Sequence, residues 1–206
     1  MQIKEACKEV WYFIWESNSI WSWIVNFILA FILVKFVVYP GLGFVLGTGF
    51  PVVAVVSGSM EHDGNFEQWW QTQAYCQSSC TQEQWYMEYG ITKENFEKYP
   101  FKNGFNKGDI MILVGREPKN IKIGDVIVFM SDQRSDPIIH RIVKIYPDET
   151  TGFVFQTKGD HNGDSGVGLD TGIEEDKILG KAIFRIPFLG WIKIAAVSLM
   201  QLLVMR

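Results

Sequence analysis

Phe50-Pro51-Val52-Val53-Ala54-Val55-Val56-Ser57-Gly58-Ser59-Met60 is an apolar run that breaks abruptly into small polar residues. An unbroken run rich in β-branched side chains reads as a strand, and Ser-Gly-Ser reads as the turn that ends it. A serine placed behind a glycine at the end of a strand sits at an exposed edge, with backbone room beside it for a ligand. Ser-Gly-Ser is also ordinary turn chemistry, so these serines acquire meaning only from what the rest of the chain sets around them.

Just ahead lies Ile20 to Tyr39, twenty residues with a single charge, Lys35, and two mild polar breaks, Ser22 and Asn26. Twenty helical residues rise about 30 Å, the thickness of a bilayer's hydrocarbon core. A buried core helix would keep a polar stripe, whereas this one is apolar on every side. Ser17-Asn18-Ser19 offers caps at its start and Pro40-Gly41 a stop at its end. Trp21, Trp23 and Tyr39 stand near its ends, where interfacial aromatics belong, and Lys35 is within reach of the far interface. The segment 20–39 therefore reads as a transmembrane helix. Residues 1–19 carry apolar side chains at Ile3, Cys7, Val10, Trp11, Ile14 and Trp15, a spacing that suits either an amphipathic helix on the membrane surface or an extension of the span. At the other end, 186–206 is apolar but broken by Pro187, Gly190, Lys193 and Gln201. It fits a second span or an interfacial helix.

The 206 residues carry a net charge of -4, which argues against a nucleic-acid partner. Between the apolar ends, Asp109 to Val114, Asp125 to Met130, Ile138 to Ile145, Phe153 to Thr157 and Ile178 to Phe184 read as short strands. Lys107-Gly108-Asp109 and Ile123-Gly124-Asp125 mark two similar tight turns ahead of them. No long helical pattern intervenes, so the body is expected to be mainly β, an antiparallel sheet domain over 50–185. Within it, 61–106 is a polar, aromatic-rich insertion with few aliphatics. Thr92 to Phe96 looks like the start of a short helix there. Cys76 and Cys80 are compatible with a local disulfide or with two thiols, and two cysteines without a nearby histidine make no zinc site. No metal or cofactor is expected.

Hydrolysis through a serine needs a base for the hydroxyl proton and an acid group that holds the base's tautomer. His140 lies in Pro137-Ile138-Ile139-His140-Arg141-Ile142-Val143, in the middle of an apolar strand. Asp160 lies in Thr157-Lys158-Gly159-Asp160-His161-Asn162, directly after the next. A strand histidine and a Gly-Asp turn are each often structural, but here one candidate for each role stands in one small sheet.

On these residues the chain resembles a type I signal peptidase of the archaeal and endoplasmic-reticulum kind. The resemblance rests on Ser57-Gly58-Ser59-Met60 after a membrane helix, on Lys107-Gly108-Asp109-Ile110 with Ile123-Gly124-Asp125-Val126-Ile127, on Ile139-His140-Arg141, and on Thr157 to Asn162, in the family's order. It implies a membrane-anchored serine endopeptidase that removes signal peptides from exported preproteins on the extracytoplasmic side. Ser59 would be the nucleophile, with the Ser57 hydroxyl and the Ser59 amide holding the oxyanion. Bacterial members have Lys-Arg where this chain has His140-Arg141, so His140 takes the general-base role. Lys144 should share its face two strand steps beyond Ile142, and is held in reserve. Asp160 matches the family's Gly-Asp turn. A second family aspartate would fall at Gly166, flanked by Asp164, the preferred candidate, and Asp170. The insertion 61–106 is longer than in short family members and fits a lid, a partner surface, a membrane-surface anchor or a passive elaboration. Reticulum enzymes act within a complex, so further secretion-machinery subunits are implied, besides the lipid bilayer. Two other readings are a non-catalytic membrane-anchored β domain for adhesion or assembly, and a self-cleaving Ser-Lys regulatory protease.

Overall fold

A computed structural model of the chain describes residues 2–148 and 152–204. It divides into two compact units, Met1–Val45 and Leu46–Arg206.

In the first unit, helix α1 (Gln2–Trp15) is followed by α2 (Ile20–Leu33). Ser19 caps α2 by accepting from the Ser22 amide. The two polar residues of the apolar segment both reach back to the end of α1. Ser22 Oγ donates to the Phe13 carbonyl (2.5 Å) and Asn26 Nδ2 to the Ile14 carbonyl (2.7 Å). The last carbonyls of a helix have no partner within it, so these side chains satisfy groups that would be costly to bury in lipid. Pro40-Gly41 does not end the helix, contrary to the sequence expectation. A π turn over Val34–Val38 shifts the pairing so that the Tyr39 amide donates to the Val34 carbonyl, and α3 (Tyr39–Leu46) carries on. That slack accommodates the ring and the missing N–H of Pro40. Ile20–Leu46 is then a 27-residue apolar helix, about 40 Å long, and long and apolar enough to cross a membrane. Lys35 accordingly sits nearer its middle than its end, with its ammonium over the rings of Phe31 (5.8 Å) and Phe36 (5.4 Å).

The second unit is built on a seven-stranded sheet in the order β1-β4-β9-β5-β6-β7-β8. Its strands are β1 (Val52–Ala54), β4 (Ile110–Val114), β5 (Val126–Ser131), β6 (Arg134–Asp148), β7 (Gly152–Lys158), β8 (Ile173–Glu174) and β9 (Ile178–Ile186), every neighbouring pair antiparallel. Strand alternation splits the core between its faces. Val126, Val128, Met111 and Leu113 pack with Val55, Met60 and Phe105 on one side. Ile127, Phe129, Ile138, Ile142 and Phe155 pack on the other. The two Gly-Asp turns are the same device. Gly108 and Gly124 each have φ +89°, and each lies flat against a ring, of Trp191 and Tyr99. Each aspartate accepts from the amide three residues back and pairs with a cation on β9, Asp109 with Arg185 and Asp125 with Lys181.

Residues 186–206 begin with the end of β9, turn through Pro187–Gly190, and enter helix α7 (Trp191–Val204). Its 14 residues rise about 21 Å, less than a hydrocarbon core.

The insertion has an interior of its own. A hairpin of β2 (Gln73–Tyr75) and β3 (Ser79–Thr81) is closed by a Cys76–Cys80 disulfide. Around it stand α4 (Phe66–Trp70), α5 (Gln82–Glu88) and α6 (Lys93–Phe96), with Asn65 and Thr81 forming capping boxes and Thr92 capping α6. Trp69, Trp70, Trp85, Tyr86, Ile91 and Phe96 bury against Val143 of β6. Phe96 is fully buried, touching the rings of Trp69, Trp70 and Tyr86. Truncating such a side chain forfeits transfer free energy and leaves a cavity. Phe96→Ala is expected to lower the unfolding free energy by about 3–5 kcal/mol, measured by denaturant titration in detergent. A loss under about 1 kcal/mol would mean that the aromatic cluster is not part of the cooperative core.

Candidate active site

Ser59 is held by backbone on both sides. Val55 exchanges hydrogen bonds with the Gly-Asp turn, its amide donating to the Asp109 carbonyl and its carbonyl accepting from the Gly108 amide. A turn follows, in which the Glu61 amide donates to the Gly58 carbonyl (3.0 Å). Met60 is fully buried in the core and its carbonyl accepts from the Phe105 amide. The serine carbonyl accepts from the His161 amide (2.9 Å). With the backbone fixed in this way, the side chain is left half-exposed, and Ser59 Oγ lies 3.2 Å from Ser57 Oγ.

His140 is buried on β6, opposite Ile127 of β5. Its neighbour Arg141 pairs with Lys158 on β7, so in an antiparallel register His140 falls beside Gly159, the first residue beyond that strand. A Cβ on Gly159 would lie 2.7 Å from the Ser59 carbonyl oxygen and 2.8 Å from His140 Nε2. The glycine is there for space, and the serine backbone and the imidazole converge on the room it leaves. Ser59, Ser57, His140 and Asn162 line one cleft of about 590 Å³, together with Val56 and the tip of the β5–β6 hairpin.

His140 Nδ1 is 2.5 Å from Asp170 Oδ1. The same carboxylate accepts from Thr157 Oγ1 (2.7 Å) and from the Gly166 amide (2.9 Å). Burial alone would raise the Asp170 carboxyl, but these hydrogen bonds, led by that of His140, hold it below its ordinary value. Neither other aspartate reaches the histidine. Asp164, the one preferred from sequence, accepts from Trp85 Nε1 (2.9 Å) and from the Ser165 amide. The loop 164–170 folds back so that its last residue, not its first, returns to the sheet and bonds the histidine, the Thr157 amide donating to the Asp170 carbonyl.

Asp160 is buried against Arg141. Arg141 Nε and Nη2 donate to its two oxygens at 2.9 and 2.7 Å, Tyr86 Oη lies 3.1 Å from Oδ1 and His62 Nε2 3.0 Å from Oδ2. Burial would raise this carboxyl; the Arg141 charge and the His62 hydrogen bond instead hold it well below the usual carboxylate range. Burial, then the adjacent carboxylate, pushes the Tyr86 phenol up, which keeps it a neutral donor. Lys144 does not share the face of His140. The β6–β7 register shifts between Ile142 and Lys144, Val143 is buried as the bulged residue, and Lys144 emerges to solvent over the Tyr146 ring.

The lysine that is buried is Lys158, at the end of β7. Its ammonium donates to Gln82 Oε1 (2.7 Å) and to the carbonyls of Gly159 (3.1 Å) and Asp160 (3.3 Å), beneath the rings of Trp85 and Tyr86. Neither Lys158 nor Gln82 was singled out by the sequence, whose only hint was the aromatic density around them. Burial lowers Lys158 from 10.5 to about 7. Between those limits the unfolded chain holds a proton that the folded chain has released, so stability rises with pH, by up to about 1.4 kcal/mol per unit. Below pH 7 both states hold it and the contribution is flat. The unfolding free energy of the parent is therefore expected to climb relative to that of Lys158→Met between pH 7 and 10, read by denaturant titration; parallel curves would refute it.

No family model matches the chain. Curated relatives do. The signal peptidase complex catalytic subunit SEC11C of Homo sapiens is 30% identical over 94 residues, 44% of this chain and 49% of that protein. SEC11 of Eremothecium gossypii is 38% identical over 95 residues, 44% of this chain and 56% of that protein. SEC11 of Lachancea thermotolerans is 29% identical over 165 residues, 77% of this chain and 73% of that protein. The first of these matches spans about half the length of the relative. With an antiparallel domain that follows an apolar N-terminal helix in the chain, and with these relatives, the chain is a homologue of proteins named as signal peptidase complex catalytic subunits.

Proposed function

We propose that this chain is a membrane-anchored serine endopeptidase that removes N-terminal signal peptides, with Ser59 as nucleophile and His140 as general base. The observation that carries the reading is the convergence of the Ser59 carbonyl and His140 Nε2 on Gly159, with Nδ1 of the same ring on Asp170. A carboxylate at Nδ1 fixes the proton there and leaves Nε2 free to accept. Nε2 then takes the Ser59 Oγ proton as Oγ bonds to the scissile carbonyl carbon, and returns it to the leaving amine as the C–N bond breaks. The acyl-enzyme is hydrolysed by a water activated in the same way. The Ser57 hydroxyl and the Ser59 amide are the donors for the oxyanion. Asp170 is the orienting carboxylate in this scheme, and Asp160 and Asp164 support the turn around it.

The substrate is an extended segment. β1 pairs with β4 and ends the sheet order, so its other edge is open for strand addition beside the serine. Small side chains at the first and third positions before the cut are carried over from the resemblance. Relatives named as catalytic subunits of a signal peptidase complex are the ground for assigning further subunits as partners. The Cys76–Cys80 disulfide favours an oxidising compartment, and with it the extracytoplasmic side of the endoplasmic reticulum or plasma membrane.

The test is cleavage of a preprotein by the detergent-solubilised chain. Ser59→Ala and His140→Ala should abolish cutting, and Asp170→Asn should lower kcat by about 10²–10⁴ through the wrong imidazole tautomer. Gly159→Ala, which forces the base and the serine apart, should cost about 10². Lys144→Ala should cut within about twofold of the parent, as an exposed side chain outside the cleft does. Parental activity in Ser59→Ala would overturn the assignment; loss in Lys144→Ala with activity kept in His140→Ala would reverse the choice of base.

A further inference from the structure

Turn 159–163 is the part that fixes Ser59 and His140 relative to each other, through the His161 amide on the Ser59 carbonyl and Gly159 beneath the imidazole. Most of what grips this turn from the other side comes from the insertion. Trp69 Nε1 donates to the Asp160 carbonyl (3.1 Å), Gln82 Nε2 to the Asn162 carbonyl (3.1 Å), and the Tyr75 amide to the Gly163 carbonyl (2.8 Å). Gln82 also accepts from Lys158, whose ammonium holds the carbonyls of Gly159 and Asp160. Gln82, 1% exposed, and the Lys158 bonded to it thus together span the turn, the lysine on its first two carbonyls and the amide on its fourth. Its own backbone is tied into the insertion by the Gln82 amide on the Thr72 carbonyl (2.9 Å).

We infer that the insertion is a positioning clamp for the site, and that Gln82, bridged to Lys158, is the residue through which it acts. A lid would cover the cleft and a surface elaboration would leave the turn alone, but these donors reach the backbone of the turn itself. Apolar residues would fill the same space at lower desolvation cost. A polar pair specifies one geometry, because each buried donor and acceptor must find its partner. Gln82 and Lys158 touch no reacting atom, so their effect is on the placement of His140 and Ser59.

The inference rests on the peptidase reading, and its test separates the two. With the full chain in detergent and a preprotein substrate, Gln82→Met should lower kcat about tenfold or more while KM moves less than about threefold, since the open edge of β1 is untouched. Trp69→Phe, which removes the indole donor to Asp160 together with part of the ring packed on His62, should lower kcat several-fold in the same manner with a melting transition retained, and decides the matter where Gln82→Met does not fold. Gln82→Met combined with Lys158→Met should be no slower than the slower single variant, as expected of residues acting as one unit. Parental kcat in folded Gln82→Met, or a fall that merely follows a lost melting transition in both Gln82→Met and Trp69→Phe, would overturn the clamp. Cutting by Ser59→Ala would overturn the peptidase reading; an inactive Ser59→Ala beside a fully active Gln82→Met would overturn the clamp alone.

Discussion

The site depends first on a buried ion pair that takes no part in the chemistry proposed for it. Arg141 and Asp160 are both fully buried. Withdrawing each charge from water costs several kcal/mol, and mutual attraction offsets that only if the remaining donors and acceptors are also met. Here they are. Besides its bonds to Asp160, the guanidinium donates to the carbonyls of Pro100, Gly124 and Phe101, which employs all five of its N–H groups. Those carbonyls belong to the end of the insertion and to the second Gly-Asp turn. One side chain therefore ties three loops to the strand that carries His140. Arg141 is next to the histidine in sequence, so whatever fixes the arginine fixes the backbone of His140.

The same arithmetic of donors explains why two aspartates are needed. A carboxylate offers about four good acceptor sites. Asp160 uses them on Arg141 twice, on Tyr86 and on His62, leaving none for His140. Asp170 arrives by another route, with its backbone also on β7 through the Thr157 amide. Its other hydrogen bonds come from neutral donors, so among the described residues His140 is the one ionisable group hydrogen-bonded to it. Dividing the contacts between two carboxylates keeps the Asp170 charge for His140, where it would stabilise the imidazolium of the proposed proton transfer.

Much of this could be read from the sequence, because the strand runs and the Gly-Asp turns are local signals. The five expected strands of the domain body are present, with boundaries off by a few residues at β6. Three features were illegible for physical reasons. Lys144 left the face of His140 because a bulge at Val143 breaks the two-residue period, and bulges have no composition of their own. Asp170 lost to Asp164 on spacing because a loop that folds back returns its last residue to the sheet, which a count of positions does not reveal. Pro40 failed to end its helix because a π turn ahead of it absorbed the ring. The insertion is a fourth case, of a different kind. Its aromatics were conspicuous, but only packing shows that they form an interior around Phe96 rather than a surface.

Lys158 shows how geometry outranks acidity in assigning roles. A buried lysine lowered to about 7, one residue from the turn beside the serine, has the acidity wanted of a general base, and bacterial relatives of this fold are implied to use a lysine. Its nitrogen is nevertheless committed to Gln82 and two main-chain carbonyls, under two aromatic rings, and it does not line the cleft that Ser59 and His140 share. A proton acceptor must reach the proton before its pKa matters. The imidazole stands where the room left by Gly159 lets it approach the serine backbone, and the lysine stands behind the turn that holds both. In this chain the lysine nitrogen serves as a donor to the backbone, and the histidine is the base proposed.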